Sequence, residues 1–315
     1  MSILKKALAA AVVAGLVSTV GVVPANAAPK NQARSVAQPD WLEANLDNPK
    51  VRIIEVSTEP GIYERGHIKN AIKFVWHTDL VDTVNRDIIN AKNFSKLVQK
   101  AGISDDTTVV LYGDKNNWFA AWGAWIFNIY GQKDVRVLDG GRVKWEKDGR
   151  ALTTAVPSFP AGNFVATKAD KALRATLIND VLPVAKKRVK ADLVDIRGAD
   201  EYNGKIFAAP GFQELSVRAG HIPGAVNVPW GANVNADGTF KTVAELRKLY
   251  ADKGIDGKQN IITYCRIGER SSLTWFVLSE ILGYNVKNYD GSWTEYGNSV
   301  GVPIVNNAGT IWGAA

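Results

Sequence analysis

The chain is short of the residues that bind metals and form cross-links. In 315 residues it has one cysteine, Cys265, one methionine, and three histidines, His67, His77 and His221. That count excludes a cysteine-rich zinc site, and a single thiol cannot form an internal disulfide. No glycine-rich loop for a nucleotide phosphate is found, so no metal and no organic cofactor is expected. Long basic runs are absent too. The 38 Lys+Arg exceed the 31 Asp+Glu by a net +7 that is spread along the chain, whereas nucleic-acid binding needs a concentrated patch. A basic pocket for a small anion fits the balance. The 28 glycines and 12 prolines follow no short period, and 46% apolar with 22% charged residues is the balance of a packed globular protein, which excludes collagen-like and disordered classes. At about 150 residues per domain, the length predicts two domains.

The N-terminus holds the one long apolar run. Lys5 and Lys6 form a basic start, Ala7 to Val23 is apolar, and Ala25-Asn26-Ala27 has the small-residue pattern of a cleavage site. Residues 1–27 are expected to be a secretory signal peptide. The run is somewhat short for an uncleaved span of about 20 residues, and no cysteine follows it to carry a lipid. The expected product is secreted, periplasmic or cell-envelope protein, with no membrane association once the signal is removed. Cleavage deletes two lysines and no acid, leaving 36 basic against 31 acidic residues, a net +5. In an oxidising compartment a lone cysteine is a liability unless it is buried or used.

Comparing the chain with itself reveals two copies of one unit. Gly66-His67-Ile68 recurs as Gly220-His221-Ile222. Thr108-Val109-Val110-Leu111-Tyr112-Gly113 matches Asn260-Ile261-Ile262-Thr263-Tyr264-Cys265, and Val137-Leu138-Asp139-Gly140 matches Asn288-Tyr289-Asp290-Gly291. The copies are placed at 35–150 and 172–305, with a Pro/Gly-containing linker at 151–171, an extra segment near Lys205–Val217 in the second copy, and a loose tail at 306–315. Short apolar runs predict buried strands at Val51–Val56, Val109–Tyr112, Val135–Leu138, Leu193–Ile196, Ile261–Tyr264 and Val286–Tyr289. Helices are predicted at Asn93–Ala101, Trp122–Tyr130, Val243–Lys253 and Ser272–Leu282, each ending at a glycine. Alternating strands and helices predict an α/β fold in which each copy is a parallel β-sheet flanked by helices on both faces. Ligands of such sheets bind at the carboxyl ends of the strands.

The copies differ at one turn. The second reads Tyr264-Cys265-Arg266-Ile267-Gly268-Glu269-Arg270-Ser271, where a buried strand ends and a helix begins. Backbone N–H groups converging in such a turn, the helix N-terminus and the charges of Arg266 and Arg270 all favour a thiolate at Cys265. The thiolate is the nucleophile. The bland reading is a small buried apolar cysteine; the strand-to-helix turn and the flanking arginines favour the reactive one. The first copy has Gly113 at the equivalent place, and its loop Asp114–Trp118 lacks a nucleophile. His67 and His221 sit in nearly identical contexts in both copies, so they are read as structural.

The doubled architecture, the Gly-His-Ile motif, the stretch Tyr264–Ser272 and the segment Asn288–Tyr296 resemble the two-domain rhodaneses, the thiosulfate sulfurtransferases, and in particular their bacterial branch. The resemblance implies tandem rhodanese-like domains with only the C-terminal one catalytic. It implies that Cys265 takes the outer sulfur of thiosulfate, releases sulfite, holds a persulfide and passes the sulfur to cyanide or a thiol. The N–H groups of the loop through Ile267, Gly268 and Glu269 would stabilise that persulfide. Arg266 and Arg270 would bind the sulfonate, and Arg197, in Asp195-Ile196-Arg197, is a further substrate-binding candidate. Asp195 either orients Arg197 or caps the following helix. The partners implied are a small anionic sulfur donor and a thiophilic acceptor, and a monomer suffices because two fused domains already form a cleft. Two departures stand out. A basic residue two past the cysteine in some members is Ile267 here, and a substrate-side arginine of animal members falls near Glu201.

Three rivals remain at this stage. A 3-mercaptopyruvate sulfurtransferase shares the fold, although such relatives tend to carry small residues after the cysteine, where this chain has Arg266. A cysteine-dependent phosphatase or arsenate reductase needs five residues between Cys and Arg, and here four separate Cys265 from Arg270. A non-catalytic binding or redox-sensing module is disfavoured by the absence of a resolving cysteine.

Overall fold

The computed structural model describes residues 32–213 and 215–313; the expected signal peptide lies outside the described residues. Twelve strands follow in chain order: β1 (Val36–Ala37), β2 (Val51–Glu55), β3 (Ala71–Lys73), β4 (Val81–Asp82), β5 (Asp87–Ile88), β6 (Thr108–Tyr112), β7 (Asp134–Leu138), β8 (Arg174–Ala175), β9 (Asp192–Asp195), β10 (Ala225–Asn227), β11 (Ile261–Tyr264) and β12 (Val286–Tyr289). Ten of them form two five-stranded sheets, β1-β7-β6-β2-β3 and β8-β12-β11-β9-β10. All pairings within these sheets are parallel. The strand orders are the same once sequence position is matched, so the internal repeat is a repeat of topology. The central strands are buried along their length, as a parallel sheet covered on both faces requires.

The two copies are joined by one continuous apolar core. Trp122, Trp125 and Phe127 of the helix Trp118–Ile129 share it with Leu273, Trp275 and Phe276 of the helix Ser271–Phe276. Each of these helices follows the central strand of its own sheet, so the packing brings the two equivalent turns close to one another. The predicted helix at Ser272–Leu282 is a six-residue α-helix continued by a π segment at Val277–Ile281.

Two stretches are more firmly held than their composition suggests. In the linker, the N–H groups of Gly162 and Phe164 donate to the carbonyls of Gln99 and Ile103, and Phe164 is buried. In the tail, the expected looseness gives way to anchoring. The Ala308 N–H donates to the Asn203 carbonyl, and Ile311 bridges to Arg218. These backbone partners are distant in sequence, which composition alone does not reveal.

Histidines 67 and 221 do the same job in each copy. His67 is fully buried, stacks on Tyr63 at 3.8 Å and contacts the Tyr63 carbonyl at 3.0 Å. His221 stacks on Tyr202 at 3.7 Å and contacts the Tyr202 carbonyl at 2.7 Å. Burial lowers the His221 pKa, so the ring is neutral and serves packing and backbone satisfaction.

Candidate active site at the Cys265 loop

Cys265 follows β11 at the carboxyl end of the second sheet, between the ends of β9 and β12. This is where ligands of open parallel sheets bind. Its side chain is fully buried. The Gly268 N–H donates to Sγ at 3.0 Å, so the turn folds back on the sulfur. The Cys265 N–H donates to Ser292 Oγ at 3.0 Å, and that hydroxyl donates to the Tyr289 carbonyl at 2.7 Å while lying 3.9 Å from Sγ. The carbonyls of Cys265 and Arg266 accept the N–H groups of Trp293 and Thr294 at 3.0 and 2.9 Å. These bonds tie the cysteine loop to the segment after β12. Among the described residues, the N–H groups of Arg266 and Ile267 have no acceptor, so they remain donors for an anion at the sulfur.

Gly268 is required by the geometry. Its φ is +104°, and a Cβ there would lie 2.3 Å from the Asp290 carbonyl oxygen. Its own carbonyl accepts from Asn288 Nδ2 at 3.0 Å. Asn288 is fully buried and also accepts from Ser271 Oγ at 2.6 Å. With its carbonyl held there, the Gly268 N–H faces the sulfur. The helix beginning at Ser271 adds the positive end of its dipole.

Charge around the loop is unequal. Among the described residues, no carboxylate comes within ion-pair distance of Arg266 or Arg270. The Arg266 guanidinium lies 5.3 Å from the Phe212 ring centre and donates from Nη1 to the Gln213 carbonyl at 2.7 Å. Arg270 is largely buried and lies between two rings, Trp118 of the first copy at 5.6 Å and Phe212 at 5.5 Å. Burial acts on the two carboxyls beside the turn. Burial pushes the Glu269 carboxyl up to about 8, so it is mostly neutral at pH 7, and burial also raises Asp290. The positive charge carried by the turn itself is that of Arg266 and Arg270.

The structure brings Cys265, Arg266, Ile267, Gly268, Glu269 and Arg270 into one turn, but Arg197 is committed elsewhere. Its side chain is 1% exposed, its Nη2 donates to Asp195 at 2.6 Å and to the Gly220 carbonyl at 2.6 Å, and it lies 4.6 Å from the Trp293 ring centre. Asp195 orients it, accepting from both its N–H and Nε at 3.0 Å. The first copy builds the same device with Arg142, which pairs with buried Glu55 at 3.1 Å and donates to the Gly66 carbonyl at 2.5 Å. In each copy a guanidinium, supplied from a different segment, pairs with the buried carboxylate at the end of the strand and bonds the carbonyl before the histidine. It would have to surrender those bonds to reach a substrate.

Ser292 is the functional residue that sequence reasoning missed. It has φ +50°, a left-handed conformation rare outside glycine. The equivalent Gly141 has φ +54°, and a Cβ there would lie 2.1 Å from Asn117 Oδ1. In the first copy the Asn117 amide fills the place of the missing hydroxyl, accepting from the Gly113 N–H at 3.0 Å. The signal was legible in the repeat: Asp139-Gly140-Gly141 against Asp290-Gly291-Ser292 puts a side chain where only glycine is comfortable. Among the described residues no group of three or more His, Cys, Asp or Glu is placed to hold a metal ion, and no helix is long and apolar enough to cross a membrane.

The comparisons agree with this geometry. A profile described as "Rhodanese-like domain" matches residues 38–148 and 182–299. The "Putative thiosulfate sulfurtransferase" of Mycolicibacterium smegmatis is 52% identical over 267 residues, covering 84% of this chain and 95% of the relative. The "Sulfur carrier protein TtuD" of Thermus thermophilus is 52% identical over 269 residues, covering 84% and 94%. Among solved structures, the 3-mercaptopyruvate sulfotransferase SseA from Escherichia coli aligns with a TM-score of 0.71 and 27% identity, over 82% of this chain and 98% of that one. With two matched domains and a cysteine turn in the second alone, the chain belongs to the two-domain rhodanese family.

Proposed function

We propose that this chain is a thiosulfate sulfurtransferase working by double displacement at Cys265. The observation that carries the reading is the Cys265 sulfur at the end of β11, with the Gly268 N–H directed at it and Arg266 and Arg270 on the same turn. The Cys265 thiolate attacks the outer sulfur of thiosulfate. The sulfur–sulfur bond of the donor breaks, and its electron pair leaves with sulfite. The new sulfur–sulfur bond leaves a persulfide on Cys265, whose outer sulfur can carry the negative charge. An acceptor, cyanide or a thiolate, then attacks that outer sulfur and restores the Cys265 thiolate. No external redox agent is needed. Loop N–H groups stabilise the charge on sulfur without reorganising at each step, the kind of preorganisation that makes electrostatic stabilisation effective. Arg266 and Arg270 hold the three sulfonate oxygens. The buried site also keeps water from the persulfide.

The relative named as a sulfur carrier supports a sulfur held and handed on. The 3-mercaptopyruvate reading is favoured by the structural neighbour of that activity, but the arginine directly after the cysteine supports an inorganic anion. We further propose that residues 1–27 direct export and are removed, that the mature protein is a monomer, and that the first copy contributes Trp118 to the wall beside Arg270.

The test is the intact mass of mature protein after incubation with thiosulfate, with Cys265→Ser as control. Gain of one sulfur atom, absent in the variant and erased by cyanide, supports the reading. Gain only with 3-mercaptopyruvate moves the enzyme to that branch, and gain with neither donor sinks the sulfurtransferase reading.

A further inference from the structure

We propose that Arg86, on the hairpin β4–β5 of the first domain, is a positioning residue for the cysteine loop of the second: it fixes the peptide whose N–H donates to the sulfur. The inference rests on the reading of Cys265 as the sulfur-transferring nucleophile.

The argument begins with a single peptide plane. The Ile267–Gly268 peptide carries the N–H that donates to Cys265 Sγ at 3.0 Å. Its other end, the Ile267 carbonyl, accepts a hydrogen bond from Arg86 Nη2. In a trans peptide the N–H and C=O point in opposite directions. Holding the carbonyl toward the hairpin therefore holds the N–H toward the sulfur. A cation on the carbonyl also polarises the peptide and strengthens its N–H as a donor to a thiolate or persulfide.

The same guanidinium lies 3.6 Å from Glu269 and 3.5 Å from Asp290, both nearly fully buried. Asp290 is the residue whose carbonyl lies against Gly268. Arg174 completes the cluster, pairing with Asp290 at 3.1 Å and with Asp87 of the hairpin at 2.6 Å. The hairpin is built to hold this pose. Arg86 has φ +53°, which costs a non-glycine residue and persists where the surroundings over-determine it. The turn before it is locked by Asp82, which accepts the N–H groups of Val84 and Asn85 at 3.0 Å each.

The duplication supplies an internal comparison. The corresponding turn of the second domain, Val234–Phe240, reaches back to the inactive loop of the first, and its Phe240 N–H donates to Asp139 at 2.8 Å. Asp139 is the equivalent of Asp290, and that turn contains no arginine. There the hydrogen bond to the aspartate comes from a backbone amide. The arginine is added only where the loop carries the cysteine.

The test uses the full chain, comparing wild type with Arg86→Ala and Arg86→Lys. Two quantities are read: the rate of persulfide formation from thiosulfate, and the pH midpoint of Cys265 alkylation by iodoacetamide. The charged groups around the loop (Arg266, Glu269, Arg270, Asp290, Arg174 and Asp87) are the same in all variants. We expect Arg86→Ala to slow persulfide formation about tenfold, less than loss of an oxyanion donor outright. We also expect its alkylation midpoint to rise, with Arg86→Lys, which can still donate to the carbonyl, recovering at least half of both effects. Both measurements are repeated at about 0.1 M and about 1 M salt, where the Debye length falls from about 10 Å to about 3 Å. A fixed peptide is indifferent to salt, whereas a remote charge is screened. An unchanged midpoint in a folded Arg86→Ala protein, or a shift that vanishes at high salt, overturns the proposal. If Arg86→Ala does not fold, Arg86→Met, which keeps the apolar stem and has no donor, is measured in its place. If wild type forms no persulfide, the sulfurtransferase reading falls, and the alkylation midpoint still decides the role of Arg86.

Discussion

Replacing Ser292 separates backbone strain from hydrogen bonding. The residue sits at φ +50°, and its hydroxyl accepts the buried Cys265 N–H at 3.0 Å and donates to the Tyr289 carbonyl at 2.7 Å. Ser292→Ala keeps the strained backbone and leaves that N–H without a partner. An unsatisfied buried donor costs about 1–3 kcal/mol, so a loss of about 2 kcal/mol is expected. For a chain of this size, each kcal/mol moves Tm by about 2–4 °C, which gives a fall of about 4–8 °C. Ser292→Gly loses the same hydrogen bonds but relieves about 1 kcal/mol of left-handed strain, so it should melt above the alanine variant. That order is the reverse of the usual one, in which glycine is the worse replacement. Both variants also remove the hydroxyl 3.9 Å from the sulfur, and persulfide formation should slow about tenfold, on the low side for a lost electrostatic contact. Thermal melts of the three proteins, with mass-detected single turnover, decide the matter. Alanine melting above glycine, or wild-type rates in both variants, would refute the reasoning.

Other substitutions probe the remaining parts of the site. Gly268→Ala places a Cβ 2.3 Å from the Asp290 carbonyl at a φ of +104°; the turn must reorganise, and mass spectrometry should find the persulfide lost or formed at least about 100-fold more slowly. Glu269 has a folded pKa raised to about 8 by burial, so the stability linked to its protonation is complete below about 4.5 and is lost as pH rises through about 8. Glu269→Gln should therefore flatten the fall in Tm between those values, and parallel Tm–pH curves would contradict the assignment. Gly113→Cys should not create a second active site, because its Cβ would lie 2.3 Å from the Val56 carbonyl and Asn117 already fills the loop; the double variant Gly113→Cys with Cys265→Ser should gain no sulfur from thiosulfate.

The repeat and the longer strands of each sheet were legible in the chain, and so was the cysteine on which the proposed function rests. Val51–Glu55 and Ile261–Tyr264 are rich in apolar residues and buried along their length, because a parallel strand inside the sheet is covered on both faces. Cys265 stood out because the matching position of the other copy is Gly113. Arg197 illustrates the opposite case. Sequence places an arginine at the end of a strand near the site, but whether its donors face a ligand or a carbonyl depends on a turn 23 residues away, at Gly220. Ser292 was visible only as a glycine-to-serine difference, whose meaning required the sign of φ.

What the sequence determined by itself is the architecture and the chemistry of one loop, because hydrophobic periodicity and a nucleophile beside fixed charges are local properties. Tertiary structure decided which groups hold the cysteine and its turn in place. The Gly268 N–H, the Ser292 hydroxyl and the Arg86 contact on the Ile267 carbonyl come from three segments, the last separated from its partner by 181 positions. Their convergence is set by the packing of one domain on the other, and a hydrogen bond has a direction that no one-dimensional pattern carries.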